Sequence, residues 1–218
     1  MSRPRLLIEE WLPTRELGIE SVRERAAASA LPPLYFLHVW WARRPLVASA
    51  GAVLGSVLPA WSPELAERFP DRRELSSEKE YREWFLRLCG ILGDPAAADA
   101  LTRAAREAGK RIPNPFTYKQ AYKNQPSTED LALLQALLHD TWERLPTVLD
   151  PTAGGGSIPF EAIRYGLRAY ANDLNPIATA VLRAGIELPA RFGSEIVDDL
   201  RSWGSVLCER MRGRLGRF

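Results

Sequence analysis

Two carboxylates and a run of glycines in the second half of the chain are the residues best suited to bind a ligand. Asp150 ends a short aliphatic run, glycines occupy positions 154–156, and Asp173 comes about 20 residues beyond them. Glycines let a backbone turn sharply and approach a ligand closely. A carboxylate at this spacing can accept hydrogen bonds from both hydroxyls of a ribose. The pattern therefore indicates a ligand that contains a nucleoside.

The acid at the end of the aliphatic run distinguishes between such ligands. A dinucleotide-binding loop offers bare N–H groups and a helix N-terminus to a pyrophosphate, which Asp150 would repel. The glycine spacing is also not G-x-G-x-x-G. A carboxylate suits a ligand with cationic groups, and S-adenosylmethionine carries both an ammonium and a sulfonium. We therefore expect S-adenosylmethionine as the cofactor. The alternative is a structural turn in which Asp150 only caps the next helix.

The expected contacts follow the shape of that cofactor. Asp150 and the glycine loop would hold the methionine end and Asp173 the ribose. Asn175 would either contact the adenine or cap the helix that follows it. The residues expected to bind the cofactor in this region are Asp150, Pro151, Thr152, Ala153, Gly154, Gly156, Asp173, Leu174 and Asn175. No metal site is expected, because the chain has only two histidines.

These residues need two strands and a helix to hold them. Residues 147–150 suit a buried strand, and residues 168–172 suit a second strand. Ser157 is a candidate cap for the helix between them, with Pro159 in its first turn and Gly166 at its end. The order of strand, glycine loop, helix, strand and acid is that of half a Rossmann-like α/β unit.

Helical signals continue beyond the acid. Asn175 and Pro176 predict the start of another helix. Residues 186–190 are short and apolar, which suits either a strand or a connector. Ser194 predicts the start of a last amphipathic helix with a basic end at residues 210–217. For that end, a frayed helix with solvated arginines is favoured over a contact with nucleic acid.

A second candidate site lies near the N-terminus, where residues 37–45 read Leu-His-Val-Trp-Trp-Ala-Arg-Arg-Pro. Trp40 and Trp41 bring aromatic faces beside two arginines. This suits stacking on a base or on adenine, with a guanidinium reaching a carboxylate or phosphate. The alternative is a tryptophan packed under a helix, with the arginines paired to acids. Phe116 and Thr117, ahead of the helix that leads into the first strand, are further candidates for lining the cofactor pocket.

Much of the remaining chain has helical patterns. Residues 46–61 are apolar but contain Gly and Ser, which predicts a buried helix rather than a membrane span. A capping signature at residues 77–80 predicts the start of another helix. Apolar residues at helical spacing follow that signature and are expected to form one stripe: Tyr81, Trp84, Phe85, Leu88, Ile91 and Leu92.

The expected fold class is therefore α/β, a Rossmann-like unit that is incomplete as it stands, with helical N-terminal elements. Short helices are predicted over residues 6–11 and 19–31. We divide the chain into an N-terminal helical segment (1–62), a helical insertion (63–110) and a Rossmann-like half-domain (111–218).

Composition places the chain among ordinary globular proteins. Hydrophobic residues make up 46% and charged residues 26%, and the formal net charge of +2 does not by itself indicate a nucleic-acid binder. Cys89 and Cys208 lie in helical patterns without metal-ligand partners, which predicts buried thiols in a reducing compartment. The N-terminus lacks the pattern of a signal peptide. We therefore expect a cytoplasmic location and no membrane partner.

Several blocks of the sequence resemble a known family. Residues 150–162 and 172–176 resemble the adenosylmethionine-binding motifs of DNA and RNA amino-methyltransferases. Residues 37–45, and the segment Leu-Ile-Glu-Glu-Trp-Leu-Pro at 7–13, resemble the prokaryotic family of large DNA methyltransferases that carry the DUF1156 domain. The resemblance implies a class I methyltransferase fold and methylation of DNA at adenine N6 or cytosine N4. It also implies that residues 37–45 help to wall the cofactor pocket.

Methyltransferases of this kind need a further motif of the form Asp/Asn/Ser-Pro-Pro-Tyr/Phe/Trp. It accepts hydrogen bonds from the target amine and stacks on the flipped base. Residues 31–34 (Leu-Pro-Pro-Leu) and 114–116 (Asn-Pro-Phe) do not supply it, so no catalytic residue is assigned. We expect a cofactor-binding part whose catalytic motif lies in the rest of the same polypeptide or in a second subunit. The alternatives are methylation of ribosomal or transfer RNA, and a non-catalytic cofactor-binding module that acts with a partner chain.

Overall fold

The computed structural model describes residues 4–26, 32 and 34–216, and within them helices predominate. The helices ahead of the sheet are α1 (Leu7–Glu10), α2 (Thr14–Ala26), α3 (Leu34–Leu37), α4 (Leu46–Val57), α5 (Pro63–Arg68), α6 (Glu78–Leu88), α7 (Pro95–Glu107) and α8 (Thr128–Trp142). The sheet and its helices follow as β1 (Thr147–Asp150), α9 (Ser157–Arg164), β2 (Arg168–Ala171), α10 (Pro176–Leu182), a π-helical turn (Arg183–Glu187), α11 (Leu188–Phe192) and α12 (Glu195–Leu215).

The sheet consists of β1 and β2 in parallel, with α9 as the crossover helix packed against both strands. Val148 and Ala169 lie side by side and pack on the core. On the opposite face, Leu149 is 69% exposed and Tyr170 is 58% exposed. The two strands form where they were predicted, but the expectation that β1 is buried is wrong, because no described residue covers that face. The assignment to the Rossmann-like class stays a prediction.

The hydrophobic core draws residues from most of the chain. α4 lies at its centre and packs against α1, α2 and α9. Tyr81, Trp84 and Phe85 of α6 are fully buried in the same core. Near the start of α8, Asp130 accepts hydrogen bonds from Trp84 Nε1 and Arg87 Nη2, both at 2.9 Å. This contact fixes α6 to the helix that leads into β1. The three-part division of the chain stays a prediction.

The structure confirms some details predicted for the helices and contradicts others. The side chain of Ser77 accepts a hydrogen bond from the backbone N–H of Glu80, which confirms the cap. α6 ends at Leu88, and of the two predicted stripe residues beyond it Ile91 is buried and Leu92 is exposed. Of the two cysteines, Cys89 is buried as expected and Cys208 is exposed.

Similar differences occur around the sheet. Gly156, not Ser157, occupies the N-cap position of α9, and Ser157 is the first helical residue. Asn175 caps α10 as predicted, since its side chain accepts a hydrogen bond from the backbone N–H of Ile177. Residues 186–190 are helical, so the strand alternative for them is wrong.

Parts of some predictions fall on residues outside the described set. They are residues 27–31 of the helix predicted over 19–31, Leu31 and Pro33 of the Leu-Pro-Pro-Leu segment, Arg217 of the basic end, and the outermost residues of segments 1–62 and 111–218.

Residues 46–61 form a buried helix over most of their length, as predicted, and this helix is α4. Within the part of the chain that the structure describes, no helix combines the length and the apolar character that crossing a membrane requires.

One carboxylate is buried on the inner face of α9. Glu161 is fully buried, and neither of its oxygens has an aligned hydrogen-bond partner among the described residues. Arg164 Nε lies 2.9 Å from Glu161 Oε2 as an ion pair. Burial raises the pKa of Glu161 to about 7, because desolvation outweighs the opposing effect of Arg164.

The raised pKa of Glu161 predicts a pH-dependent stability. The ordinary pKa is 4.5, so between pH 4.5 and about 7 the folded protein keeps a proton that the unfolded chain releases. The contribution of Glu161 to stability therefore falls as the pH rises through this window. We expect Glu161→Gln to remove this dependence. The free energy of unfolding of the variant minus that of the wild type should therefore increase by up to about 3 kcal/mol as the pH rises through this window.

Urea unfolding at about pH 5 and about pH 8 measures this difference. Glu67→Gln, at an exposed position on α5, is the control and should show no such change. A stability difference for Glu161→Gln that is the same at both pH values would contradict the prediction.

Candidate functional site

The glycine loop joins β1 to α9 across the end of the sheet. The parallel hydrogen-bond pattern continues past the strands. The N–H of Asn172 donates to the carbonyl of Asp150, and the N–H of Ala153 donates to the carbonyl of Asn172, each at 2.9 Å. Gly154 and Gly156 have φ values of 51° and 83°. Residues with a Cβ rarely adopt this left-handed conformation, so both turns require glycine.

Asp173 holds this loop in place. Its Oδ2 accepts a hydrogen bond from the N–H of Gly154, and its Oδ1 accepts one from the N–H of Asn175, both at 2.8 Å. These bonds, from Asn175 and Gly154, hold the pKa of Asp173 below its ordinary value. The predicted acid therefore stays charged, and it is bound to the predicted loop directly.

Trp40 lies against the same loop. A Cβ built on Gly154 would come within 2.8 Å of Trp40 Nε1, and one built on Gly155 would come within 3.0 Å of Trp40 Cβ. Side chains at these two positions would therefore displace the indole. The two motifs that the sequence singled out separately thus meet in the folded chain.

The loop and the Trp40 segment enclose a cavity of about 260 Å³. Five of its lining residues were predicted site residues, namely Trp40, Asp150, Thr152, Ala153 and Gly154. The others are Tyr35, Ala42, Arg43, Arg44, Gly155, Ser157 and Ile158. The cavity therefore combines a carboxylate, two arginines and two aromatic residues.

Asp150 lines this cavity, and one of its two oxygens lacks a partner among the described residues. Its Oδ1 accepts a hydrogen bond from the N–H of Thr152 at 3.2 Å. Its Oδ2 has no hydrogen-bond or ion-pair partner among residues 4–26, 32 and 34–216. The structure therefore does not support the alternative in which Asp150 caps α9, because the N-cap position belongs to Gly156.

A second cavity, of about 760 Å³, lies between β2, α10 and α11, and Asp173 is among its lining residues. Gly154 touches both sites, because it lines the smaller cavity and donates to Asp173. Leu174, next to this acid, is 99% exposed. A ligand in contact with both acids would therefore lie next to Gly154.

The remaining predicted residues lie elsewhere. Trp41 is 87% exposed and does not line the small cavity, although its ring centroid is 5.6 Å from that of Trp40. Pro151 is exposed, and Gly156 is buried at the start of α9. Asn175 serves as the cap of α10, which is one of its two predicted roles, while a contact with adenine stays a prediction.

Phe116 and Thr117 do not reach the glycine-loop cavity. The guanidinium carbon of Arg23 lies 4.4 Å from the ring centroid of Phe116, and Thr117 is exposed. Phe116 lines a different pocket, of about 440 Å³, together with the exposed residues Lys119 and Lys123. In this structure, the loop that contains Phe116 therefore presents a basic and aromatic surface of its own.

The position of the Trp40 segment depends on a residue that the sequence analysis did not identify. The N-cap position of α4 is Pro45, which has no side-chain acceptor. Glu24 of α2 supplies one, since its carboxylate accepts hydrogen bonds from the N–H groups of Leu46 (2.9 Å) and Val47 (3.3 Å). Burial raises the pKa of Glu24 against these hydrogen bonds. A helix that starts after proline without its own cap was the available signal for such an external acceptor.

Tyr35 and Arg43 complete this part of the site. The Tyr35 hydroxyl donates to the carbonyl of Arg44 at 2.5 Å. The guanidinium carbon of Arg43 lies 5.2 Å from the Tyr35 ring centroid, which is a cation–π contact. The N–H of Arg43 donates to the carbonyl of Trp40 at 3.2 Å. One short turn therefore carries both the indole and the guanidinium.

Comparison with known proteins identifies one region of the chain. The family model described as "Protein of unknown function (DUF1156)" matches residues 11–86. Among curated proteins and among solved structures, nothing matches. The DUF1156 part of the resemblance is therefore confirmed, and it includes Trp40, Arg43 and Arg44 but not the glycine loop. That this chain is part of a DNA methyltransferase stays a prediction.

The role of Asp173 in holding the loop predicts a local effect of Asp173→Asn. An asparagine has one acceptor oxygen and would direct its NH₂ group at one of the two N–H donors. We therefore expect the amides of Gly154 and Asn175 to exchange with solvent faster, by a factor on the order of ten. Hydrogen exchange followed by NMR measures this rate.

Asp71→Asn, at an exposed position between α5 and α6, serves as the control. It should leave both amides as protected as in the wild type. Unchanged exchange at Gly154 in Asp173→Asn would show that Asp173 does not hold the loop.

Proposed function

We propose that this chain binds S-adenosylmethionine at the glycine loop and forms the cofactor-binding part of a methyltransferase that acts on an exocyclic amine of a DNA base. The observation that carries the proposal is that Asp150 lines the cavity beside Trp40 and that its Oδ2 has no partner among the described residues. An unpaired carboxylate oxygen favours a ligand with a cationic group there and disfavours a pyrophosphate. The ammonium and sulfonium of S-adenosylmethionine meet this requirement.

The ribose is the second part of the cofactor that these residues fit. Each oxygen of Asp173 accepts one backbone hydrogen bond, and a carboxylate oxygen can accept more than one. Ribose hydroxyls can therefore bind without displacing the bonds that hold the loop. The uncovered side chain of Leu174 is available for apolar contact with the adenine.

The local fold supports the same proposal. β1, α9 and β2 form a parallel βαβ unit, and both acids lie at the carboxyl ends of its strands. Ligands of open α/β sheets bind outside this end of the strands. We therefore propose that the unit is the first part of a class I methyltransferase sheet.

The chemistry assigned to the residues of this chain is positioning. The bound cofactor supplies an electrophilic methyl group for an in-line displacement. Asp150 holds the cationic methionine end, Gly154 lets the ligand approach the backbone, and Asp173 fixes the ribose. Correct placement of a reacting group lowers the barrier substantially without an acid or base on the same chain. The target amine would be held by the Asp/Asn/Ser-Pro-Pro-aromatic motif, which this sequence lacks.

A partner that completes the site is supported by the surfaces left uncovered. Leu149 and Tyr170 expose one face of the sheet, and two strands alone are marginally stable in water. On α12, none of the residues is buried. Its apolar residues recur at helical spacing along one face: Val197, Leu200, Trp203, Leu207, Met211 and Leu215. These faces favour the alternative given above, in which this chain is a cofactor-binding module that acts with a partner chain, and the partner carries the catalytic motif.

DNA is proposed as the substrate over RNA because the DUF1156 domain is present in residues 11–86 and the Trp-Trp-Ala-Arg-Arg-Pro block resembles the DNA-modifying family. The exposed Lys119 and Lys123 beside Phe116 offer cations for phosphate contacts. That surface suits either DNA or RNA, so the methyl-transfer assay described below has to distinguish between them.

Calorimetry with the purified chain tests cofactor binding. We expect S-adenosylmethionine to bind more tightly than NAD⁺. Asp150→Asn should weaken the binding of S-adenosylmethionine by at least about tenfold, because it removes the negative charge that faces the cationic group. The midpoint of thermal unfolding should stay close to that of the wild type, since Asp150 makes only one backbone hydrogen bond with its side chain.

Asp71→Asn provides the control for a lost surface charge, and its affinity should match the wild type. The proposal fails if NAD⁺ binds more tightly than S-adenosylmethionine, or if Asp150→Asn binds S-adenosylmethionine as the wild type does.

Transfer of a radiolabelled methyl group tests the dependence on a partner. We expect no label on DNA with this chain alone. Label should appear after adding a polypeptide that carries the Asp/Asn/Ser-Pro-Pro-aromatic motif, taken from the same genetic locus. Replacing the polar residue of that motif by alanine should abolish the transfer.

The results of this assay separate the candidates. Label on DNA from this chain alone would contradict the need for a partner. Label on RNA and not on DNA, under the same conditions, would replace the DNA proposal by the RNA alternative.

A further inference from the structure

Opposite charges line the glycine-loop cavity without neutralising each other. Asp150, Arg43 and Arg44 all border it, and among the described residues no ion pair joins either arginine to an acid. A partly buried charge without a protein partner can gain a charge-assisted hydrogen bond from a ligand of opposite charge. A carboxylate and a guanidinium in one small cavity complement a ligand that carries both an ammonium and a carboxylate.

We propose that this cavity recognises the α-amino-acid end of its ligand, with Asp150 binding the ammonium and Arg43 binding the carboxylate. The inference rests on the proposed function and names the group that gives the site its specificity. It adds Arg43, for which the glycine loop itself gives no indication, to the ligand-binding residues.

Arg43 is chosen over Arg44 because its guanidinium is held in place. It lies against the ring of Tyr35, which lines the same cavity. Its backbone N–H bonds to Trp40, so the guanidinium and the indole belong to one turn. Arg43 is partly buried, whereas Arg44 is exposed. A guanidinium with restricted motion and reduced contact with water binds a carboxylate more strongly than an exposed one.

The nearest acid on the neighbouring helix does not satisfy Arg43. Glu24 lies close enough for Arg43 to lower its pKa. Both Glu24 oxygens accept hydrogen bonds from the N–H groups at the start of α4, and among the described residues no ion pair joins Glu24 to Arg43. Arg43 therefore retains its capacity for a two-point interaction with an incoming carboxylate.

The chemistry and the size of the cavity favour an amino-acid end over other ligand ends. A phosphate would meet the negative charge of Asp150, and a simple amine would leave the guanidinium unpaired. The volume of about 260 Å³ is smaller than the roughly 300–1,000 Å³ of a complete ligand pocket. It therefore holds one end of a ligand, and the rest extends over Gly154 toward Asp173.

Calorimetry with ligand pairs that differ only in the carboxylate tests the inference. S-adenosylmethionine is compared with its decarboxylated form, and L-methionine with 3-(methylthio)propylamine. The proteins are the full chain, Arg43→Gln and Arg44→Gln. We expect the wild type to prefer the carboxylate-bearing member by at least about tenfold. Arg43→Gln should remove the preference, while Arg44→Gln should retain it, as should Arg111→Gln, an exposed arginine away from the cavity.

5′-Methylthioadenosine, which lacks the amino-acid end, controls for folding. It should bind Arg43→Gln as it binds the wild type, so that a lost preference reports the carboxylate contact and not a damaged site. The two perturbations, in ligand and in protein, form a double-mutant cycle.

Each outcome bears on a different claim. Equal binding of S-adenosylmethionine and its decarboxylated form by the wild type overturns this inference and leaves the proposed function intact. A preference lost in Arg44→Gln but kept in Arg43→Gln overturns the assignment to Arg43. A methionine preference that depends on Arg43, without binding of S-adenosylmethionine, supports the inference and overturns the proposed cofactor. No binding of any of these ligands overturns both.

Discussion

The carboxylate of Asp173 is the contact on which the geometry of the site depends. It joins the end of β2 to the glycine loop and to the start of α10 through two hydrogen bonds of 2.8 Å. The loop contains two glycines at positive φ, and glycine loses more conformational freedom on folding than any other residue. Charge-assisted bonds to the backbone offset part of that cost. The small cavity exists because the loop is held in this one conformation.

A second constraint comes from the helical part of the chain. α4 begins at a proline and takes its N-terminal acceptor from Glu24, a residue of α2. The Trp40 turn lies immediately ahead of α4, so this buried carboxylate fixes the place where the turn meets the glycine loop. The DUF1156 region, residues 11–86, contains both Glu24 and Trp40. The part of the chain that carries this domain thus contributes one wall of the proposed cofactor site.

The exposed surfaces around the sheet point to protein contacts beyond those described. One face of the sheet packs on the core through Val148 and Ala169, while the opposite face leaves Leu149 and Tyr170 in water. α12 carries an apolar face along its length that no described residue buries. Burial of such surface is the main favourable term in association, which is why we propose a function completed by further protein.

The sequence by itself determined the local features. Strand positions, the order of the βαβ unit, the cap at Asn175 and the two glycine turns follow from patterns within a few residues, because backbone sterics and capping act at that range. The sequence also predicted that β1 is buried, which was wrong for the face that carries Leu149. It did not show that one face stays exposed, because burial depends on which other segments reach that face.

Only the tertiary structure decided which of these features meet. Trp40 reaches the loop and Trp41 does not, although they are adjacent and chemically alike. Phe116 packs on Arg23, away from the cavity to which the sequence assigned it. Glu24 accepts a hydrogen bond at the start of α4, and Arg43 lies over the ring of Tyr35. Both contacts involve segments that are remote in the chain from the glycine loop. Residue type and spacing limit which contacts are chemically possible, but the packing of α2, α4 and α9 around one core selects the few that form, because that packing brings distant segments within hydrogen-bond range.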